Sequence, residues 1–207
     1  MFEFFRAGGP VMFFLVLTSI AGVTFIIERG LALRWKKVIP PEVEEAVERC
    51  AADAKDGAAT VERVCRANPS PLSNLLLLAR EHLNWPKQAN SDSGETRARH
   101  EVMKLERGLV ILEIIVGIAP LTGLVGTLHG LITLFATLGN VAITDNAAMA
   151  KGISIALNTT LMGLIVAIPS LIAWSYYVKK VETLAIEMES VCEQFLRGQY
   201  REKLAAE

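Results

Sequence analysis

The chain has 207 residues, 52% of them hydrophobic, and its mean hydropathy of +0.37 is too high for an ordinary water-soluble domain. Its 21 basic and 22 acidic side chains nearly cancel to a net charge of −1, but they are unevenly spread. Residues 7–27, 114–144 and 152–178 carry no charge, in windows of roughly 21, 31 and 27 residues. Each exceeds the roughly 20 residues that a helix rising 1.5 Å per residue needs to cross a bilayer core. The pattern predicts an all-α membrane protein with three spans.

Residues 1–9 open with MFEFF, which reads as an interfacial aromatic segment or as a frayed terminus. Span one follows within 10–39. It is expected to be a retained anchor rather than a signal peptide: Arg6 is matched by Glu3, the apolar stretch is long, and no A-x-A site follows before Glu28. Helix is expected to persist to Lys37, until Pro40 and Pro41 interrupt it. Met12, Phe13, Phe14, Leu15 and Leu17 give this span no small-residue stripe and predict a lipid-facing helix.

A soluble helical segment then covers 40–94. PEVEEAVERCAADAKDG reads as an amphipathic helix with Val43, Ala46, Val47 and Cys50 on one face and Gly57 as its stop. A short helix over 58–67 ends at Asn68 and Pro69, and a third over 71–85 repeats Leu72, Leu75, Leu76 and Ala79 at helical spacing. PKQANSDSG, polar and rich in breakers, reads as a linker. From Glu95 the charged run passes into span two with only Gly108 as a breaker, which predicts one long helix over 95–139. A loop over 140–150 leads to span three. Over 151–207 span three continues as a second long helix striped by Val181, Leu184, Met188, Val191 and Phe195. No strand pattern or internal repeat competes.

Basic residues set the expected orientation. Arg29, Arg34, Lys36 and Lys37 follow span one, Arg97, Arg99, Lys104 and Arg107 precede span two, and Lys179 and Lys180 close span three. The loop between spans two and three has Lys151 alone, so the positive-inside rule puts it and the N-terminus outside, with the middle segment and C-terminus in the cytoplasm. Cys50, Cys65 and Cys192 then lie where thiols stay reduced, at spacings that match no metal or redox site. The cations are juxtamembrane rather than a nucleic-acid face, and no P-loop, metal-ligand cluster or activated nucleophile points to an enzyme or a bound cofactor.

The chemistry concentrates in spans two and three. Gly123, Gly126, Thr127 and Gly130 recur on one side of the first, and Gly152, Ala156, Thr159, Thr160, Gly163, Ala167 and Ser170 on one side of the second. Lipid gives helices little drive to associate, so small residues that admit close packing and hydroxyls that bond between helices do that work. A lone threonine in a span bonds back to its own helix, whereas Thr127 and Thr160 beside Asn158 read as a shared polar lining. His129, two positions past Thr127, points about 200° away and reads as a packed neutral ring before it reads as a proton relay. Pro120 and Pro169 each remove a backbone donor and are expected to loosen their helices. Glu113, near Arg107 at the cytoplasmic end of span two, is expected to snorkel or to pair with a neighbouring subunit before it is read as a proton carrier.

LERGLVILEIIVGIAPLTGLVGTLHGLITLF and GISIALNTTLMGLIVAIPSLIAWSYY resemble spans two and three of the MotA/TolQ/ExbB proton-channel family, closest to ExbB and TolQ, and GGPVMFFLVLTSIAGVTFIIERGLALR resembles its first helix. The resemblance implies a bacterial inner-membrane, ring-forming homopentamer whose spans two and three line a lumen. That lumen would hold a dimer of an ExbD- or TolR-like single-span partner with a membrane aspartate, acting on a TonB- or TolA-like periplasmic protein. The family's pore threonines fall on Thr127 and Thr160 and its prolines on Pro120 and Pro169. Many relatives carry a glutamate where this chain has Ile155, so the chain lacks a mid-membrane carboxylate of its own. A sodium-coupled or flagellar-type stator, with Asn158, Thr159 and Thr160 around the ion, and a non-conducting scaffold stay open as alternatives.

Overall fold

The computed structural model describes residues 9–52, 57–138 and 146–206. Among them all regular structure is helical: α1 (Gly9–Ala32), α2 (Trp35–Val38), α3 (Pro41–Ala52), α4 (Gly57–Ala67), α5 (Pro71–Glu81), α6 (Lys87–Glu106), α7 (Leu109–Leu138) and α8 (Asn146–Ala206). The expected N-terminal segment and most of the expected 140–150 loop lie outside the described residues, and α8 already begins at Asn146. Three helical stretches are long and apolar enough to cross a membrane: Pro10–Ala32, Leu109–Ala136 and one within Met149–Arg201. The chain divides into two units, Met1–Arg29 with Gly108–Tyr176 and Gly30–Arg107 with Tyr177–Glu207.

The first unit holds the apolar spans. Ile115, Ala119, Val166 and Ala167 bury one another, with Ala21 and Ile111 packed against them. The sequence predicts a lipid-facing span one, and the structure corrects this on one side of the helix. Met12 and Leu15 are each only 1% exposed, and Gly22 lies against Ser170 and Ile115, whereas Phe13, Phe14 and Leu17 are open. The glycine lets α1 lie close on this face, where an added Cβ would stand 3.2 Å from the Ser170 hydroxyl oxygen. Helix α1 ends at Ala32, five residues before Lys37, because Arg34 takes an extended conformation (φ −68°, ψ 132°) that starts α2. This bend carries Leu33, Val38 and Ile39 into the core of the second unit.

In the second unit the helical stripes pack as their spacing predicts. Val43, Ala46, Val47 and Cys50 of α3, Leu72, Leu75, Leu76 and Ala79 of α5, and Val181, Leu184, Met188, Val191 and Phe195 of α8 are all buried. Ser70 starts α5 by accepting a hydrogen bond from the Ser73 N–H at 3.1 Å, with Pro71 in the first turn, where its missing donor costs nothing. Gly57 does not stop α3. It opens α4, pressed so closely on the Cys50 backbone that a Cβ would stand 2.9 Å from its Cα.

Two expectations about the middle of the chain are corrected. PKQANSDSG is helical rather than a linker: α6 begins at Lys87. Propensity is overridden there by burial of Asn90, which donates to the Ala79 carbonyl at 2.9 Å and to the Tyr200 hydroxyl at 3.2 Å. The run from Glu95 into span two is not one helix either, since α6 ends at Glu106 and α7 starts at Leu109. Gly108 between them lies so close to the Arg29 side chain that a Cβ would overlap it. All three cysteines are free and buried, and burial pushes the Cys65 and Cys192 thiols up to about 11.

Candidate functional site

The site lies where α7 crosses α8 inside the first unit. A Cβ on Gly123 would come within 2.9 Å of the Thr159 carbonyl oxygen and 3.0 Å of the Thr160 Cα, and one on Gly163 within 2.6 Å of the Ala119 carbonyl oxygen. Backbone meets backbone here, which small residues permit. Gly126 faces the Thr159 side chain, Gly130 faces Ala156, and Gly152 faces Leu134, so each expected packing glycine sits at a contact. Pro120 and Pro169 lie within continuous helices, where each deprives the carbonyl four residues earlier, on Val116 and Ile165, of its helical donor.

The close approach brings carbonyls within reach of hydroxyls on the facing helix. Thr127 Oγ1 lies 3.1 Å from the Ala156 carbonyl oxygen across the interface and 3.2 Å from the Gly123 oxygen of its own helix. Thr160 Oγ1 reaches that same Gly123 oxygen at 3.2 Å, and Thr159 Oγ1 reaches it at 3.3 Å while donating to Ala156 at 2.7 Å. Thr127 and Thr160 are also hydrogen-bonded hydroxyl to hydroxyl. Elsewhere in the spans a lone hydroxyl bonds back to its own helix, as Thr18, Thr24, Thr122, Thr133 and Ser170 do at 2.8–2.9 Å. The Thr127, Thr159 and Thr160 cluster therefore departs from the ordinary behaviour of threonine in an apolar helix.

Each hydroxyl has one proton to give and lone pairs to receive. The pair can run from Thr127 to Thr160 to the Gly123 oxygen, or from Thr160 to Thr127 to the Ala156 oxygen, with nothing left unbonded in either order. Thr127 and Thr159 are buried and Thr160 is half-buried, so Thr160 is the hydroxyl of the three that meets the subunit surface.

The other candidate residues stand apart. Asn158 is half-buried on α8, two positions from Thr160 and so about 200° around the helix from it, outside the hydroxyl cluster. His129 is exposed on the subunit, so the packed-ring expectation is not met within one chain. Ile155 is half-buried, five residues before Thr160. Glu113 and Arg107 are both exposed and belong to none of the described ion pairs. The sequence reading missed the site's acceptors, the Gly123 and Ala156 carbonyls, because backbone atoms leave no letter. The matching small residues on two spans were their only sign.

Comparison with known proteins identifies the family of the chain. Residues 73–190 match the family model described as the MotA/TolQ/ExbB proton channel family. A biopolymer transport protein ExbB homologue of Methanothermobacter thermautotrophicus is 32% identical over 87% of this chain, and the chain spans only 63% of that relative. An ExbB-like biopolymer transport protein of Synechocystis is 32% identical over 82% of this chain and 67% of its own length. The Tol-Pal system protein TolQ of Pseudomonas aeruginosa is 28% identical over 89% and 84%.

Proposed function

Because this membrane protein belongs to the MotA/TolQ/ExbB proton channel family, we propose that it is the ring-forming subunit of an ion-driven motor in the bacterial inner membrane. On this reading copies of the chain, five by family precedent, enclose a lumen lined by α7 and α8. A dimer of a single-span, ExbD- or TolR-like partner brings an aspartate into it and passes motion to a TonB- or TolA-like periplasmic protein. The N-terminus is periplasmic, and the middle segment and C-terminus are cytoplasmic, in keeping with the basic residues that flank the spans.

The observation that carries this reading is the Thr127 and Thr160 hydroxyl pair, held at the α7 and α8 crossing with carbonyl acceptors on both sides. A visiting carboxylate needs a donor when ionised and an acceptor when protonated. Thr160 supplies both by exchanging its bond to Gly123, whose carbonyl keeps Thr127 as a donor. The low dielectric of a membrane lumen raises a partner aspartate's pKa toward the range where it loads and unloads. Each proton crossing about 100 mV delivers about 2.3 kcal/mol to the conformational cycle. A sodium site built from Asn158 with Thr160 is disfavoured within a subunit, because those two side chains leave α8 in different directions.

The test uses the complex purified from its native membranes through a tag on this chain and reconstituted into liposomes. Proton entry is read with entrapped pyranine under a potassium diffusion potential. Wild-type complex should conduct, and Thr127→Val with Thr160→Val should cut the flux at least about tenfold while native mass shows the assembly intact. Unchanged flux in the intact double variant refutes the threonine pathway and favours a scaffold. Dependence on a sodium gradient in place of the proton gradient would favour the stator reading.

A further inference from the structure

Thr127 belongs to a longer line on α7. Glu113, Gly117, Pro120, Leu124, Thr127 and Leu131 recur at alternating spacings of four and three, which keeps them on one face of the helix. That face lies away from α1. Ile115 and Gly126, on the other side of α7, meet Gly22 and Val11 of α1. Glu113, Gly117 and Leu124 are exposed on the subunit, Pro120 and Leu131 are half-buried and Thr127 is buried against α8, so the line is uncovered around Glu113 and meets α8 at Thr127. Glu113 stands at its N-terminal end, fourteen residues or about 21 Å from Thr127.

Glu113 is the one carboxylate between Leu109 and Leu138, four positions inside a span that begins at Leu109. An ionisable group inside an apolar span is costly unless it faces water or a partner. Among the described residues its own chain supplies neither an ion pair nor burial against polar groups. Its helical face is the one that packs Thr127 against α8 beside the half-buried Thr160, so a lumen that reaches Thr160 on the channel reading also borders Glu113.

We propose that Glu113 is a proton-exchange site on the ion path, the chain's own acid at the cytoplasmic mouth of the lumen. This rests on the channel reading above. A proton released into the lumen forms an O–H bond on the Glu113 carboxylate, and that bond then breaks toward cytoplasmic water. The group returns to its ionised form with no redox change and no co-reactant. Ile155 leaves this chain without a carboxylate near Thr160, and Glu113 supplies one at another depth on the same lumen face.

The experiment is the reconstituted proton-flux assay on the natively purified complex. Glu113→Gln, which keeps size and loses the exchangeable proton, should reduce flux at least about tenfold with native mass unchanged, and Glu113→Asp should restore most of it. Wild-type flux in Glu113→Gln, alongside failure of the threonine variants, overturns the assignment and leaves the channel reading standing. Wild-type flux in the threonine variants, or a wild-type complex that passes no protons, sinks the channel reading and this assignment with it. If Glu113→Gln does not assemble, the wild-type complex is treated with a water-soluble carbodiimide and an amine, and the products are mapped by mass spectrometry. Amidation of Glu113 supports a water-filled lumen at that depth, and no amidation in the intact complex overturns it.

Discussion

Replacing Gly163 by alanine tests the close crossing of α7 and α8 through the sign of its effect. In a helix with free space alanine stabilises by about 0.8–1 kcal/mol over glycine, because it restricts the unfolded chain. At Gly163 the new Cβ would stand 2.6 Å from the Ala119 carbonyl oxygen, a backbone atom that cannot swing aside, so the helices must part by about 0.8 Å to restore ordinary contact. The Thr127 to Ala156 bond at 3.1 Å and the bonds of Thr159 and Thr160 to Gly123 at 3.3 and 3.2 Å would then exceed hydrogen-bonding distance. Interhelical bonds in membranes average about 0.6 kcal/mol, so three amount to about 2 kcal/mol, to which overpacking adds about 1–3 kcal/mol. Net of propensity, Gly163→Ala should destabilise by about 2–4 kcal/mol in equilibrium unfolding of the reconstituted chain by SDS titration. Gly94 is the internal control: a Cβ there meets nothing within 4 Å, so Gly94→Ala should stabilise by about 1 kcal/mol. A Gly163→Ala chain as stable as wild type would refute the crossing geometry.

Asn90→Ala should cost about 2 kcal/mol by stranding the Ala79 carbonyl, and Tyr200→Phe about 1 kcal/mol, with amide hydrogen exchange accelerated over 87–94 in both. Cys65 and Cys192 should resist iodoacetamide at neutral pH in the folded chain and react on unfolding. Their thiols are raised from an ordinary 9.0 to about 11 by burial, so the folded state holds these protons more tightly than the unfolded state. The resulting stability is complete below pH 9 and is lost as pH rises toward about 11, and Cys65→Ala with Cys192→Ala should flatten that decline in a denaturation series. Gly108→Ala should cost less than Gly163→Ala, because the Cβ would meet the end of the Arg29 side chain, which can swing aside, and Arg29→Ala should make the alanine more favourable in a double-mutant cycle.

The spans and the buried stripes of α3, α5 and α8 were legible because they depend on periodicity, and burial follows periodicity wherever one face of a helix meets a core. Boundaries that depend on distant partners were not legible. PKQANSDSG has the composition of a linker, and it folds as helix because Asn90 finds Ala79 in the preceding helix and Tyr200, 110 residues away. The break at Gly108 falls where the chain approaches Arg29, 79 positions earlier, and the inner face of α1 includes Gly22 against Ser170. At the candidate site the small residues and the threonines were visible on each span separately. What the sequence hid was their register, which decides whether Thr127 finds a carbonyl of its own helix or a partner on the next one.

Packing and chemistry at the crossing are consequences of one geometric fact. Glycine at 123 and 163 and alanine at 119 and 156 remove the side chains that would screen the backbone, so the carbonyls that close approach exposes become acceptors for hydroxyls on both helices. A valine in place of Thr127 would preserve shape and remove the proton, whereas an alanine in place of Gly163 would preserve every hydroxyl and move it out of range. If the hydroxyls carry the function, both changes abolish conduction, but only the glycine change destabilises the helix pair by more than the bonds themselves are worth. A glycine variant that loses stability and keeps full conduction would separate the two roles and confine the threonines to structure.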